Sequence, residues 1–133
     1  MLFRSLRVGL VTAPGGRGVL APALAARGAT VLRADVYARR AVALPARQRA
    51  ALADALQAPE HVLLVASSGE ALAALLAQVA PIALRRCAVV AASLRLADAA
   101  RAAGFTRVAT ASDARPAALL QAAAAAFAAP DLV

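Results

Sequence analysis

Five short runs rich in apolar and β-branched residues alternate with alanine-rich stretches of helical period, and this alternation narrows the chain to few folds. The runs are 7–12, 30–34, 61–66, 87–92 and 106–110. Several are apolar at consecutive positions, the pattern of strands covered on both faces in a parallel sheet. Between them, Leu72, Leu75, Leu76 and Val79 form one helical stripe. Leu120, Ala123, Ala124 and Phe127 form the expected inner face of a last helix, opened by Pro116 after Ser112 or Asp113 as cap. Gly28 and Gly104 each follow a helical run and precede a strand, which suits the left-handed residue that ends a helix. A further helix is expected over 46–58, between Pro45 and Pro59. The order predicts an α/β fold: a parallel five-stranded sheet with helices on both faces, in the flavodoxin-like layout.

The stretch 35–45 breaks the rhythm. It alternates weakly, carries Arg39 and Arg40, and ends at Pro45, so a β-hairpin and an extended linker both fit. The chain of 133 residues thus reads as one domain made of a β-α-β unit (1–36), a linker (37–45) and an α-β-α-β-α-β-α unit (46–133).

Composition excludes two classes. Hydrophobic residues make up 62% of the chain, too many for a disordered tail. The longest charge-free run, 116–130, has 15 residues and a proline at each end, short of the roughly 20 needed to span a bilayer. No membrane partner and no signal peptide are expected. The formal charge is +8, and all fifteen basic residues are arginine. A GC-rich genome accounts for arginine without lysine. A partner bearing many carboxylates or phosphates accounts for it too, since arginine binds both bidentately. Nucleic acid is not expected: the arginines are scattered and few aromatic residues are present to stack on bases. One cysteine, Cys87, precludes an internal disulfide and fits a cytoplasmic location.

Three strand-to-helix corners are candidate sites. Residues 12–18 read Thr-Ala-Pro-Gly-Gly-Arg-Gly. This is either a tight turn or an anion contact through backbone N–H groups, with Thr12, Gly16 and Arg17 as contacts. It matches neither the Walker loop nor G-x-G-x-x-G. Ser67, Ser68 and Gly69 follow the third strand, and Ser93 and Arg95 follow the fourth. Each serine suits a helix cap, and capping is compatible with ligand binding at the carboxyl ends of strands. A Ser–His pair is rejected: His61 lies at the far end of the third strand, roughly 20 Å from these serines at about 3.3 Å per residue. Cys87 reads as core, and no cluster supports a metal. Tyr37 either covers the domain edge or presents a phenol to a cleft between the two units.

These motifs together resemble uroporphyrinogen-III synthase. Residues 12–28 and the continuation Val31 to Arg40, with Val36-Tyr37, look like a β-α-β and crossing point of that family. Ser67 to Leu72 resembles its serine-glycine corner, 90–105 its Gly-x-x-Thr segment, and 114–119 its closing helix. The family's enzymes are about twice this length with two flavodoxin-like domains, so the chain resembles the C-terminal half of that architecture. The family's threonine falls on Leu96, its glycine on Ser93, and the first serine of its corner on Ala66. The resemblance implies a cofactor-free lyase of tetrapyrrole and haem biosynthesis, cyclising hydroxymethylbilane to uroporphyrinogen III. Water is lost and the last pyrrole ring is inverted. The implied partner is a polycarboxylate tetrapyrrole, with Tyr37 as the catalytic candidate assisting loss of the hydroxyl. The other reading is a non-catalytic α/β module of the same descent that binds anions or a partner chain. Two assemblies are open: a closed five-stranded monomer, or a homodimer that swaps residues 1–36.

Overall fold

Parallel strands joined by helices build each of two units. The computed structural model describes residues 3–13 and 18–128. The units are Met1–Arg40 and Ala41–Val133, so the division falls inside the stretch expected to link them.

The first unit is β1 (Arg7–Thr12), α1 (Leu20–Ala26) and β2 (Thr30–Asp35). Its strands are parallel, in register from Arg7 opposite Thr30 to Thr12 opposite Asp35. One further hydrogen bond, Val36 N–H to the Thr12 carbonyl, extends the ladder. The β1 residues alternate between exposed and half-buried, not covered on both faces within this unit.

The second unit runs α2 (Ala46–Ala55), a 3-10 turn (Pro59–His61), β3 (Leu63–Ala66), α3 (Gly69–Gln78), α4 (Pro81–Arg85), β4 (Ala88–Ala91), α5 (Leu94–Ala102), β5 (Arg107–Thr110) and α6 (Pro116–Phe127). Its sheet has the order β3-β4-β5, all parallel. The α/β class with parallel strands is as expected, with the five strands in sheets of two and three. His61 lies in the turn before β3, not in the strand.

The core is centred on β4, whose four residues are all buried. Successive side chains of a strand point to opposite faces. Val89 accordingly packs with Leu72 of α3, Leu84 of α4, and Ala100 and Phe105 at the end of α5. Val90 packs on the other side with Ala123 of α6. Leu75, Leu76 and Val79 pack against the first cluster, so the α3 stripe is as the sequence has it. Cys87 is fully buried, as expected of core; burial pushes its thiol pKa up, with Arg107 pulling the other way.

Both expected glycines end helices. Gly28 has φ +91° and Gly104 has φ +102°. Gly28 N–H donates to Ala25 and Ala29 N–H to Leu24; Gly104 N–H donates to Arg101 and Phe105 N–H to Ala100. These pairs are the two bonds of a Schellman motif, and the Phe105–Ala100 contact is its usual apolar partner.

Other expectations shift. The last helix buries Ala123 and packs Ala118, Leu119 and Ala122 with it, while Leu120 is 70% exposed. Apart from Gln121, the helix is apolar throughout, and Leu119 and Leu120 stand side by side, so a stripe through either one fits the alanines equally well. Its cap position is Arg115, with no side-chain cap. Asp113 instead accepts the Arg115 N–H two residues on, at 2.8 Å. The helix expected to reach residue 58 ends at Ala55. Residues 36–45 carry no regular structure, so the linker is not a hairpin. Its end is tied down by Gln78: Oε1 accepts from Leu44 N–H at 2.7 Å, and Nε2 donates to the Val42 carbonyl at 3.1 Å.

Two predictions follow from this geometry. A Cβ on Gly104 would meet Arg85 Nε at 2.8 Å, in a left-handed conformation. Gly104→Ala should therefore lower unfolding stability in urea by about 1–2 kcal/mol, while Gly9→Ala, with open space around it, should change it by less than about 0.5 kcal/mol. Gln78→Ala should speed hydrogen exchange at the Leu44 amide and leave exchange in β4 unchanged.

Candidate functional site at the carboxyl ends of the strands

The β3-β4-β5 ladder fixes where its chain corners lie. Ala66, Ala91 and Thr110 share the last rung of paired residues. Ala92 N–H then donates to Ala66 and Ala111 N–H to Ala91, so all three strands leave the sheet along one edge. Open parallel sheets bind ligands at this edge.

The first corner there holds Ser67, Ser68 and Gly69. Ser67 is exposed. Ser68 caps α3, its Oγ accepting from Ala71 N–H at 3.2 Å. Gly69 is the first helical residue, and a Cβ there would lie 3.6 Å from Leu96 Cδ2. This short distance sets the start of α3 beside α5. Ser93 caps α5 in the same way, its Oγ accepting from Leu96 N–H at 3.2 Å, and Arg95 is exposed in the first turn. Each serine bond stabilises its helix by about 1 kcal/mol. The two corners expected from sequence are thus brought together.

The third corner, after β5, was read from sequence only as a helix start. It carries Thr110, Ser112, Asp113 and Arg115. Arg115 Nη2 reaches Asp113 Oδ2 at 2.6 Å, and this contact, helped by the Arg115 backbone N–H, holds the Asp113 carboxyl below the usual range. The signal was available: a strand followed by hydroxyl and charged residues, as at the other two corners.

In the first unit, Thr12 ends β1 half-buried, and its hydroxyl lies 3.5 Å from the Ala13 carbonyl. Tyr37 follows β2 at the same end of the ladder, since Asp35 is opposite Thr12. Its ring is 51% exposed, with the Arg39 guanidinium 5.9 Å from the centroid. Gly16 and Arg17 lie outside the described residues. Sequence reasoning also passed over Arg33, whose Nη2 donates to the Ala13 carbonyl at 3.0 Å and whose Nε pairs with Asp35 at 3.0 Å. Among the described residues, no three His, Cys, Asp or Glu side chains group as a metal site would require. Nor is any helix among them long and apolar enough to cross a membrane.

Residues 3–121 match the family model described as uroporphyrinogen-III synthase HemD. The chain belongs to the uroporphyrinogen-III synthase family. A search of curated proteins finds no match. Two positions where the uroporphyrinogen-III synthase resemblance breaks are now physically defined. Leu96 is 3% exposed and packs with Ala91, Ala92 and Ala97. Ala66 is 6% exposed, in the cluster around Val89. Both are core residues at the root of the corners.

The Asp113–Arg115 pair gives a testable titration. Its carboxyl pKa is depressed in the folded chain, so any stability it adds is present above the ordinary aspartate value and lost as pH falls through the folded one. Arg115→Met should move the Asp113 midpoint, followed by carboxyl carbon NMR, upward toward the ordinary range, with the backbone N–H of residue 115 still holding it somewhat below.

Proposed function

We propose that this chain acts on hydroxymethylbilane, cyclising it to uroporphyrinogen III with loss of one water and inversion of the last pyrrole ring. The observation that carries this reading is the family match over 119 of 133 residues, from 3 to 121. The corners support it. The bilane bears eight carboxylates, and a chain of net charge +8 with capped helix starts aligned along one sheet edge suits such an anion.

On this reading catalysis rests on pose and charge. Thr12, Gly16, Arg17, Ser67, Ser68, Gly69, Ser93 and Arg95 bind the substrate, through hydroxyls, guanidinium groups and backbone N–H. Holding the bilane folded brings the reacting ring ends together. Tyr37 donates a proton to the departing hydroxyl, which leaves as water; the azafulvene cation left behind is offset by the substrate's own carboxylates, and the proton released as the ring closes returns to the phenolate. The reaction needs no cofactor, and a cytoplasmic setting goes with it. The two units then work either as one closed flavodoxin-like, five-stranded domain or as a swapped homodimer.

A second reading is favoured by one observation. On the resemblance drawn from the sequence, two hydroxyl-bearing positions of the family fall on Ala66 and Leu96, both buried and apolar. A binding module that has lost the chemistry would show such replacements.

The assay separates them. Purified chain is given hydroxymethylbilane and the type I and type III isomers are resolved by chromatography. Type III above the spontaneous background is expected, with Tyr37→Phe lowering kcat by about tenfold, below the usual general-acid effect. Type I alone would discard the enzymatic reading in favour of the module. Light scattering across concentrations distinguishes a mass near 13.3 kDa from twice that value.

A further inference from the structure

The amino ends of the strands in the second unit, opposite the serine corners, border a groove of about 490 Å³. That volume is in the range of small-molecule sites. The groove exists because α6 packs on β4 and β5 and leaves part of β3 bare. Leu63 is opposite Ala88 and Val65 opposite Val90, so both β3 side chains point to the α6 side, where they are exposed. Leu63 and Ala88 line the groove from the sheet, and Leu120, Ala124 and Phe127 line it from α6. Leu120 and Phe127 are two turns apart, about 10 Å along the helix at 1.5 Å per residue. The exposed Leu120 thus stands at one end of an apolar lane.

The other end of the lane is charged. Arg107, the first residue of β5, sets its guanidinium over the Phe127 ring, 5.6 Å from the centroid. Its Nη1 reaches the Glu60 carbonyl at 3.4 Å. Both contacts hold the guanidinium in place, and neither neutralises it. The Glu60 carboxylate, which could, meets Arg86 instead at 3.9 Å. Among the described residues, no carboxylate pairs with Arg107. Its charge is felt as far as the buried Cys87 thiol, next to Ala88. We propose that this groove binds a single-chain alkyl carboxylate, with the chain along Leu63, Leu120 and Ala124 and the carboxylate on Arg107. A guanidinium binds carboxylate bidentately. An alkyl chain suits the lane better than a ring, because its apolar walls are mostly aliphatic and Arg107 takes the face of Phe127. The site is separate from the serine corners and stands whether or not the chain turns over hydroxymethylbilane.

Octanoate, below its micelle concentration, is titrated into the full chain and followed by calorimetry and by amide and methyl NMR. One molecule per chain is expected, with shifts at Leu63, Leu120, Ala124 and Phe127 and none at Ser68 or Ser93. Affinity should rise about two- to fourfold per added CH₂ from hexanoate to decanoate. Octanol, with the same chain and no charge, should bind about tenfold more weakly, and Arg107→Met should bring octanoate down to the octanol value. Leu120→Asp alters an exposed residue, so the fold is kept while octanoate binding is lost. If Arg107→Met disturbs β5, faster hydrogen exchange at Val108 shows it, and the octanoate–octanol comparison on the wild type decides alone. Equal affinity for octanoate and octanol would overturn the proposal. So would undiminished octanoate binding in Leu120→Asp, or shifts centred on the serine corners. A groove already filled in solution would give no saturable shifts at Leu120 and Phe127, and that result would overturn it as well.

Discussion

Hydrogen bonding on both sides of β4 is the constraint from which the larger unit follows. Four residues, Ala88–Ala91, pair with β3 on one side and β5 on the other. Their side chains are small and wholly apolar, so helices close down on both faces without a polar group to satisfy. The parallel register then leaves little freedom to the corners. Once Ala66, Ala91 and Thr110 share a rung, the serines and arginines that follow must emerge side by side. The placing of these corners is therefore a by-product of the β3-β4-β5 register.

How much of this could be read beforehand depends on what each feature needs. Gly28 and Gly104 are legible because a left-handed helix end excludes nearly every other residue. Ser68 and Ser93 are legible because a cap needs a short hydroxyl at one position. The α3 stripe is legible because leucines stand out against alanine. The α6 face is not, since Leu119 and Leu120 are neighbours and the alanines around them suit either stripe, with Gln121 the lone polar residue of the helix. Arg33 is beyond reach for a different reason. Its partner is a backbone carbonyl twenty residues away, and no residue type marks a carbonyl in need of a donor. The third corner was read as a helix start alone, because Ser112 and Asp113 both suit a cap and the cap explanation absorbed them.

Family membership and the packing at Leu96 and Ala66 pull in different directions. A leucine buried at 3% exposure cannot be exchanged for a hydroxyl without a cavity and an extra polar group in the core. The corner's shape is thus set by apolar packing around Leu96 and Ala66.

Cys87 has a consequence of its own. It is fully buried one residue before β4, and burial also disfavours the thiolate that reacts with labelling reagents. The thiol can be modified only when the centre of the three-stranded sheet opens. With no other sulfhydryl in the chain, the rate of its labelling is a clock for that opening.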